Sequence, residues 1–186
     1  MKVIVSAGGT GGHIYPALSI ISSMNEKDEI LYIGTINRME KDIVPSKNIK
    51  FIGIDIEGLN RKNIFKNIVV LYKYIKAYFK IKKIIKDFKA DKVIGCGGYI
   101  TLPVLKAAQS LKIDTYIHEQ NSIVGLSNRL VEKKCKKIFI SFEDSRKYFK
   151  NKNVYLTGNP CSENARNIKA ISKKELGFDE KDLSLY

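Results

Sequence analysis

A chain of 186 residues has the length of one ordinary domain, or of one half of an enzyme that works in a cleft between two. With 44% hydrophobic and 28% charged residues, its composition is that of a globular core and excludes a disordered chain. The net charge of +14, carried mostly by lysine, favours anionic partners without separating a nucleic-acid reader from a protein that visits anionic lipid.

Cys96, Cys135 and Cys161 are odd in number, widely spaced and outside any CxxC pair, so they support neither a disulfide framework nor a zinc site and point to a reducing cytoplasm. No cluster of metal ligands is visible. The first strand runs straight into glycines, unlike a secretory leader, and no apolar stretch is long enough to span a bilayer.

The first β-branched run, "KVIVSA", leads into "SAGGTGGH", where Gly8, Gly9, Gly11 and Gly12 surround Thr10 and His13 closes the loop. A helix is expected from near Ile14, with Pro16 in its first turn, where a missing N–H costs nothing. Glycines let the backbone approach an anion, and the N–H groups of a helix start point at negative charge, so a phosphate or diphosphate is the natural guest. The alternative is a tight strand-to-helix turn. Two familiar phosphate loops do not fit. A GxGxxG read from Gly9 meets Ile14 at its third glycine with no clear ribose acid after "YIGT", and Gly12 is followed by His13 where a P-loop needs Lys. Nicotinamide and ATP chemistry are thereby disfavoured, and no cofactor is expected.

"EILYIG" and "KFIGID" read as the next two strands. From Lys62 to Lys89 the pattern is that of a long helix. On its wheel Lys62, Lys66, Lys73, Lys76, Lys80 and Lys83 share about a third of the circumference. The apolar arc, with Ile64, Ile68, Leu71, Tyr72, Ile75, Tyr78, Phe79, Ile81, Ile85 and Phe88, is wider than packing on a sheet requires. A cationic face beside surplus apolar surface suits a peripheral helix on anionic headgroups, with Lys73, Ile75, Lys76, Tyr78, Phe79 and Lys80 as the contact, whereas a solvated lysine face on a core helix is the plainer reading.

After the strand "KVIGCGG", the stretch "GCGGYITLP" repeats the design of the first loop, with Gly97, Gly98 and Tyr99 at the turn. Two such loops on one sheet edge suit a diphosphate, or else allow the loops to pack on each other. Beyond "DTYIHE", the residues His118, Glu119, Gln120 and Asn121 form a polar cluster suited to a polyhydroxylated ligand, although Asn121 or Ser122 would also serve as a helix cap. "KKIFIS" and "NVYLTGN" complete seven short runs alternating with helix-length segments. This is the pattern of an α/β, Rossmann-like doubly wound parallel sheet, whose sites lie beyond the carboxyl ends of the strands.

Taken in order, "GGTGGH", "GCGGY", "HEQN" and "GNP" closely resemble the MurG family, the UDP-N-acetylglucosamine:undecaprenyl-diphosphate-muramoyl-pentapeptide N-acetylglucosaminyltransferases of bacterial peptidoglycan synthesis. "GTINRME" (34–40) and "EGLNRKN" (57–63) resemble further family segments. The resemblance implies the N-terminal half of a two-domain glycosyltransferase of the B type (GT-B). Residues 1–165 would form the acceptor domain, and 166–186 a linker with the start of a donor domain at "LSLY". It implies that Thr10, Gly11, Gly12, Gly97, Gly98, Tyr99, Gln120, Asn121 and Asn128 face the lipid diphosphate or the donor–acceptor cleft. His13 is then the first candidate for the base that takes the acceptor hydroxyl proton, ahead of Glu119 and His118. The positive end of its helix should keep the imidazole neutral.

The implied partners are UDP-N-acetylglucosamine, the undecaprenyl-diphosphate-linked muramoyl-pentapeptide and an anionic membrane surface, at the inner face of the bacterial cell membrane. The implied reaction is an inverting transfer of N-acetylglucosamine with loss of UDP. One departure stands out: the family usually reads Gly-Asn-Pro-Val-Arg where this chain has "GNPCS", placing Ser162 where a basic residue could touch the donor. Alternative functions are a lipid-diphosphate module without catalysis, or one chain of a split transferase. Nucleic-acid binding rests on charge alone, since no motif for it is present.

Overall fold

The computed structural model describes residues 1–58 and 66–162. Seven strands form one sheet: β1 (Lys2–Ser6), β2 (Glu29–Thr35), β3 (Lys50–Ile54), β4 (Lys92–Gly95), β5 (Asp114–Glu119), β6 (Lys137–Ile140) and β7 (Val154–Leu156). All pairings are parallel, in the order β3-β2-β1-β4-β5-β6-β7. The helices are α1 (Gly11–Ser22), the short α2 (Glu40–Ile43), α3 (Lys66–Phe88), α4 (Thr101–Ser110) and α5 (Leu126–Val131).

The expected α/β doubly wound architecture is present, and the strand residues explain it. Val3 and Val5 bury against α1 on one face, while Ile4, between them, packs with α3 and α4 on the other. Strands covered on both faces need side chains that are apolar at every position, which is why these runs read as continuous rather than alternating. The order reverses between β1 and β4, so the loops leaving these two strands diverge to opposite faces and open a crevice between them. Both glycine loops leave from that point.

α1 starts three residues earlier than expected, at Gly11, because the amides of His13 and Ile14 already bond to the Thr10 carbonyl. Pro16 is therefore not in the first turn. It lies in the second, where it removes the helical hydrogen bond that the Gly12 carbonyl would otherwise accept.

α3 confirms the long lysine-rich helix over its described length. Lys62 and Ile64 lie outside the described residues, as do the C-terminal residues 163–186 that include "LSLY". Its wide apolar arc divides in two. Ile81, Ile85 and Phe88 are buried in the core, whereas Ile68, Leu71, Tyr72, Ile75 and Phe79 form an uncovered stripe spaced by three and four residues, with Phe79 65% exposed. Tyr78 is half-buried against the core. No described helix is long and apolar enough to cross a membrane.

Candidate functional site

The two glycine loops touch. Gly98 has φ +85°, and a Cβ placed on it would lie 2.3 Å from the Gly8 carbonyl oxygen. Gly97 has φ +98°, and its Cβ would lie 2.4 Å from Cδ2 of His13. Side chains are excluded at both positions, by conformation and by space, so the second loop leaves the room that the His13 ring fills. The possibility that the loops pack on each other is thus realised. It does not compete with anion binding, because Gly11 and Gly12 carry the first two amides of α1, which have no acceptor within the helix. Tyr99 stands at the edge of the crevice, its ring 4.0 Å from a Cβ built on Gly9 and 3.4 Å from one built on Gly58.

Behind each loop lies a buried carboxylate. Glu40, at the start of α2, accepts from the Thr35 amide (3.0 Å) and hydroxyl (2.6 Å) through Oε1 and from the Gly9 amide (3.3 Å) through Oε2. It thereby ties the first glycine loop to the end of β2. Its role is not visible in any motif, although "GTINRME" contains it. Glu119, at the end of β5, accepts four hydrogen bonds. Oε1 takes the Asn121 amide and Nδ2, each at 3.0 Å, and Oε2 takes the Gly125 amide at 3.2 Å and Asn128 Nδ2 at 3.0 Å. Asn121 is therefore no helix cap: α5 begins at Leu126, after Gly125, without a side-chain cap. Glu119 instead folds the segment 119–128 about its own carboxylate.

His118 is buried beneath the same loop. Its Nε2 lies 3.4 Å from the Gly158 carbonyl oxygen and 3.5 Å from Ser141 Oγ, which joins the "HEQN" and "GNP" segments. Ser141 belongs to no motif, and as the residue after β6 it carries no sequence signal of this contact. In the "GNPCS" turn, Asn159 Oδ1 accepts from the Cys161 amide at 3.0 Å and the Asn159 carbonyl from the Ser162 amide at 3.1 Å, with Ser162 exposed. Three buried polar atoms of this region have no hydrogen-bond partner among the described residues: His118 Nδ1, Gln120 Oε1 and Asn128 Oδ1. Such atoms mark positions where a ligand or water completes the bonding. Gln120 also borders Gly97 and His13, its Nε2 lying 3.5 Å from the Cβ position of Gly97.

His13 Nδ1 is 3.1 Å from Thr10 Oγ1. The tautomer in which Nδ1–H donates to Thr10 leaves Nε2 to accept a proton. Burial is the largest influence on this imidazole and lowers its pKa, against the opposing pull of Glu119 and Glu40. Neutrality, expected from the helix start, is thus favoured chiefly by desolvation. His118 is lowered as well, first by burial, with the Gly158 carbonyl and Glu119 acting against it. Burial also pushes the Cys96 thiol, in the second glycine loop, up to about 12.

These two imidazoles carry a stability signature. Both have folded-state pKa values below the ordinary 6.5, so the unfolded chain binds more protons as the pH falls through 6.5 toward those values. Stability rises with pH in that window and is lost on acidification. The melting temperature is expected to drop between pH 7.5 and 5.0, and to drop less in His118→Gln. Parallel thermal melts would show this, and an unchanged slope in the variant would remove His118 from the account.

The site therefore brings together Thr10, Gly11, Gly12, His13, Gly97, Gly98, Tyr99, His118, Glu119, Gln120, Asn121 and Asn128 at the carboxyl ends of β1, β4 and β5. The membrane-contact set is elsewhere, on α3. There Ile75, Phe79, Lys76 and Lys80 are exposed, but Lys73 bonds Glu57 (2.6 Å) and Asp55 (3.2 Å).

Comparison with known proteins agrees with this geometry. The UDP-N-acetylglucosamine–N-acetylmuramyl-(pentapeptide) pyrophosphoryl-undecaprenol N-acetylglucosamine transferase of Bacillus pumilus is 44% identical over 184 residues, covering 97% of this chain and 50% of the relative. Its counterpart in Bacillus subtilis is 42% identical over 184 residues, with 97% and 51% covered. The chain thus spans about half the length of the curated relatives it matches. Among solved structures, Acinetobacter baumannii MurG superposes with a TM-score of 0.74 at 30% identity, over 85% of this chain and 46% of that one. A UDP-N-acetylglucosamine 2-epimerase from Rickettsia bellii, at TM-score 0.67 and 13% identity over 96% of this chain and 52% of its own, shares the fold alone. The resemblance to the MurG family extends along nearly the whole chain, and residues 3–140 match the glycosyltransferase family 28 N-terminal domain, so the chain belongs to glycosyltransferase family 28.

Proposed function

We propose that this chain is the acceptor-binding half of an inverting N-acetylglucosaminyltransferase that moves N-acetylglucosamine from its UDP donor to an undecaprenyl-diphosphate-linked muramoyl-pentapeptide. One observation carries the reading: two glycine loops converge at the reversal of strand order with His13 held between them. The names of the Bacillus relatives supply the substrate classes.

In this mechanism the diphosphate of the acceptor lies against the amides of Gly11 and Gly12 and the turn at Gly97 and Gly98. His13 Nε2 takes the proton of the attacking sugar hydroxyl while Thr10 holds Nδ1. The hydroxyl oxygen attacks the anomeric carbon from the face opposite the UDP oxygen, and UDP departs with inversion. Glu119 positions Asn121 and Asn128 rather than taking the proton, since its own loop occupies both oxygens. Gln120 Oε1 and Asn128 Oδ1 are left to accept from sugar hydroxyls. As the resemblance to the MurG family implies, most donor contacts are assigned in this proposal to a C-terminal half.

The deciding experiment is transfer of labelled N-acetylglucosamine to a short-chain acceptor, using this chain with and without a supplied C-terminal half. Turnover with the added half supports the proposal. Acceptor binding without turnover in either case replaces it with a recognition module, and turnover by the chain alone overturns the assignment of the donor site to the other half.

The α3 stripe supports a peripheral position on an anionic membrane, at the cytoplasmic face in keeping with the unpaired thiols. Ile75 and Phe79 would enter the interface, flanked by Lys76 and Lys80, while Lys73 contributes less because two carboxylates hold it. In vesicle sedimentation, Ile75→Asp with Phe79→Asp is expected to abolish binding. Lys76→Gln with Lys80→Gln should weaken binding to anionic vesicles by about tenfold or more. Equal binding of the native chain to neutral and anionic vesicles would defeat the electrostatic part.

A further inference from the structure

An apolar groove of about 470 Å3 runs between α3, α4 and α5, walled by Leu71 and Tyr74, Leu102, and Leu126 and Leu130, with Tyr99 at its inner end. On the other side of Tyr99 lies a polar pocket of about 480 Å3 that contains Asn37 and Arg38. Glu57 and Gly58 border both spaces, and the Glu57 carboxylate is held by Lys73 at 2.6 Å. The negative charge at the junction is thereby answered, and Arg38 remains to face an anion. Tyr99 also packs toward Gly9 of the first glycine loop. A molecule lying across this region meets amides and a guanidinium at one end and a mainly apolar wall, with Ser127 among its leucines, at the other. Leu71 belongs both to the wall of this groove and to the exposed apolar stripe of α3.

We propose that the groove binds the first isoprene units of a polyprenyl diphosphate, which passes from the glycine loops over Tyr99 and leaves along α3 toward the lipid surface. The inference rests on the assignment of those loops to a lipid diphosphate. Size agrees with the occupant. A cavity of about 150 Å3 holds the six carbons of benzene, so this one has space for roughly three five-carbon units. An apolar cleft with its few polar groups gathered at one end orients such a ligand by its headgroup.

The experiment compares binding of farnesyl diphosphate and inorganic diphosphate to this chain by calorimetry, below the aggregation concentration of the lipid. Leu126→Asp and Leu130→Asp are the groove variants. Their side chains are 59% and 51% exposed, so the substitutions leave the core intact. Farnesyl diphosphate is expected to bind at least about 100-fold more tightly than inorganic diphosphate, from the carbon it buries. Each groove variant should remove about tenfold or more of that preference and leave inorganic diphosphate unaffected. Gly12→Asp, at a position where a Cβ meets only Thr10 Oγ1 at 3.8 Å, sets a carboxylate beside the first amides of α1 and should weaken both ligands alike, which tests the loops separately.

Equal affinity for the two ligands, with the Gly12→Asp effect present, would overturn the groove while the loop assignment survives. A farnesyl preference indifferent to both leucine variants would place the tail elsewhere and overturn it too. Binding of neither ligand would remove the loop assignment and the groove together. Sedimentation velocity closes the remaining route: a dimer dispersed by Leu130→Asp would give the groove to a second copy of the chain and overturn the proposal.

Discussion

Replacing His13 by alanine is expected to lower transfer by about 10²- to 10⁴-fold when the chain is complemented by its C-terminal half, the usual worth of a positioned general base. The loss should fall on kcat, with acceptor affinity changed far less, because the amides of Gly11, Gly12 and the second loop remain. The pH profile sharpens the expectation. Burial lowers the pKa of the free imidazole below 6.5, so the acid limb of kcat/KM should lie below that value. A bound diphosphate near the ring favours the imidazolium, so the limb of kcat should lie at higher pH than that of kcat/KM. His13→Ala should abolish the limb. A variant that retains both the limb and the rate would show that the ring only orders the loop through Thr10, and a titration of His13 by NMR, with and without an acceptor analogue, would then show no shift.

The sheet was legible because burial on both faces of its central strands imposes apolar, largely β-branched residues at successive positions, as in residues 3–5 of β1 and 30–33 of β2. The start of α1 was not. Gly11 and Gly12 have the weakest helical propensity after proline, so residue preference places the start after His13, whereas the bonds to the Thr10 carbonyl place it before Gly11. The surplus apolar arc of α3 was readable from its width, since a sheet covers only one side of a helix. That Lys73 would spend its charge on Asp55 and Glu57 was not, because both partners come from the segment after β3, which no helical wheel contains. Glu40 escaped for a related reason: its bonds to Thr35 are local, but Gly9 meets it only once β1 and β2 are paired. The motif residues gather at the carboxyl ends of β1, β4 and β5, and the structure gives each of them different partners. Of the three proposed bases, only His13 lies between the two glycine loops, while His118 is turned to Gly158 and Ser141 and Glu119 is bound by its own loop.

Glu119 provides the sharpest test of that division, through the isosteric change Glu119→Gln. A glutamine has one acceptor oxygen and one NH2 group, and at this position donors face both ends: the Asn121 amide and Nδ2 at one, the Gly125 amide and Asn128 Nδ2 at the other. Either Asn side chain can turn over and offer its oxygen to the new NH2. The backbone amides of Asn121 and Gly125 cannot, so in either orientation of the glutamine one amide N–H faces another donor. An unanswered buried donor, with the loss of charge-assisted bonds, costs about 2–5 kcal/mol. Glu119→Ala should cost at least as much, because it leaves all four donors without their acceptor. Urea unfolding of the chain alone measures both. If Glu119 were the catalytic base, glutamine would leave stability near the native value and remove the rate. As the centre of its loop, it should do the reverse: stability falls, acceptor KM rises as Asn121 and Asn128 lose their positions, and the acid limb set by His13 stays where it was. A stable Glu119→Gln chain without activity would transfer the role of base from His13 to Glu119.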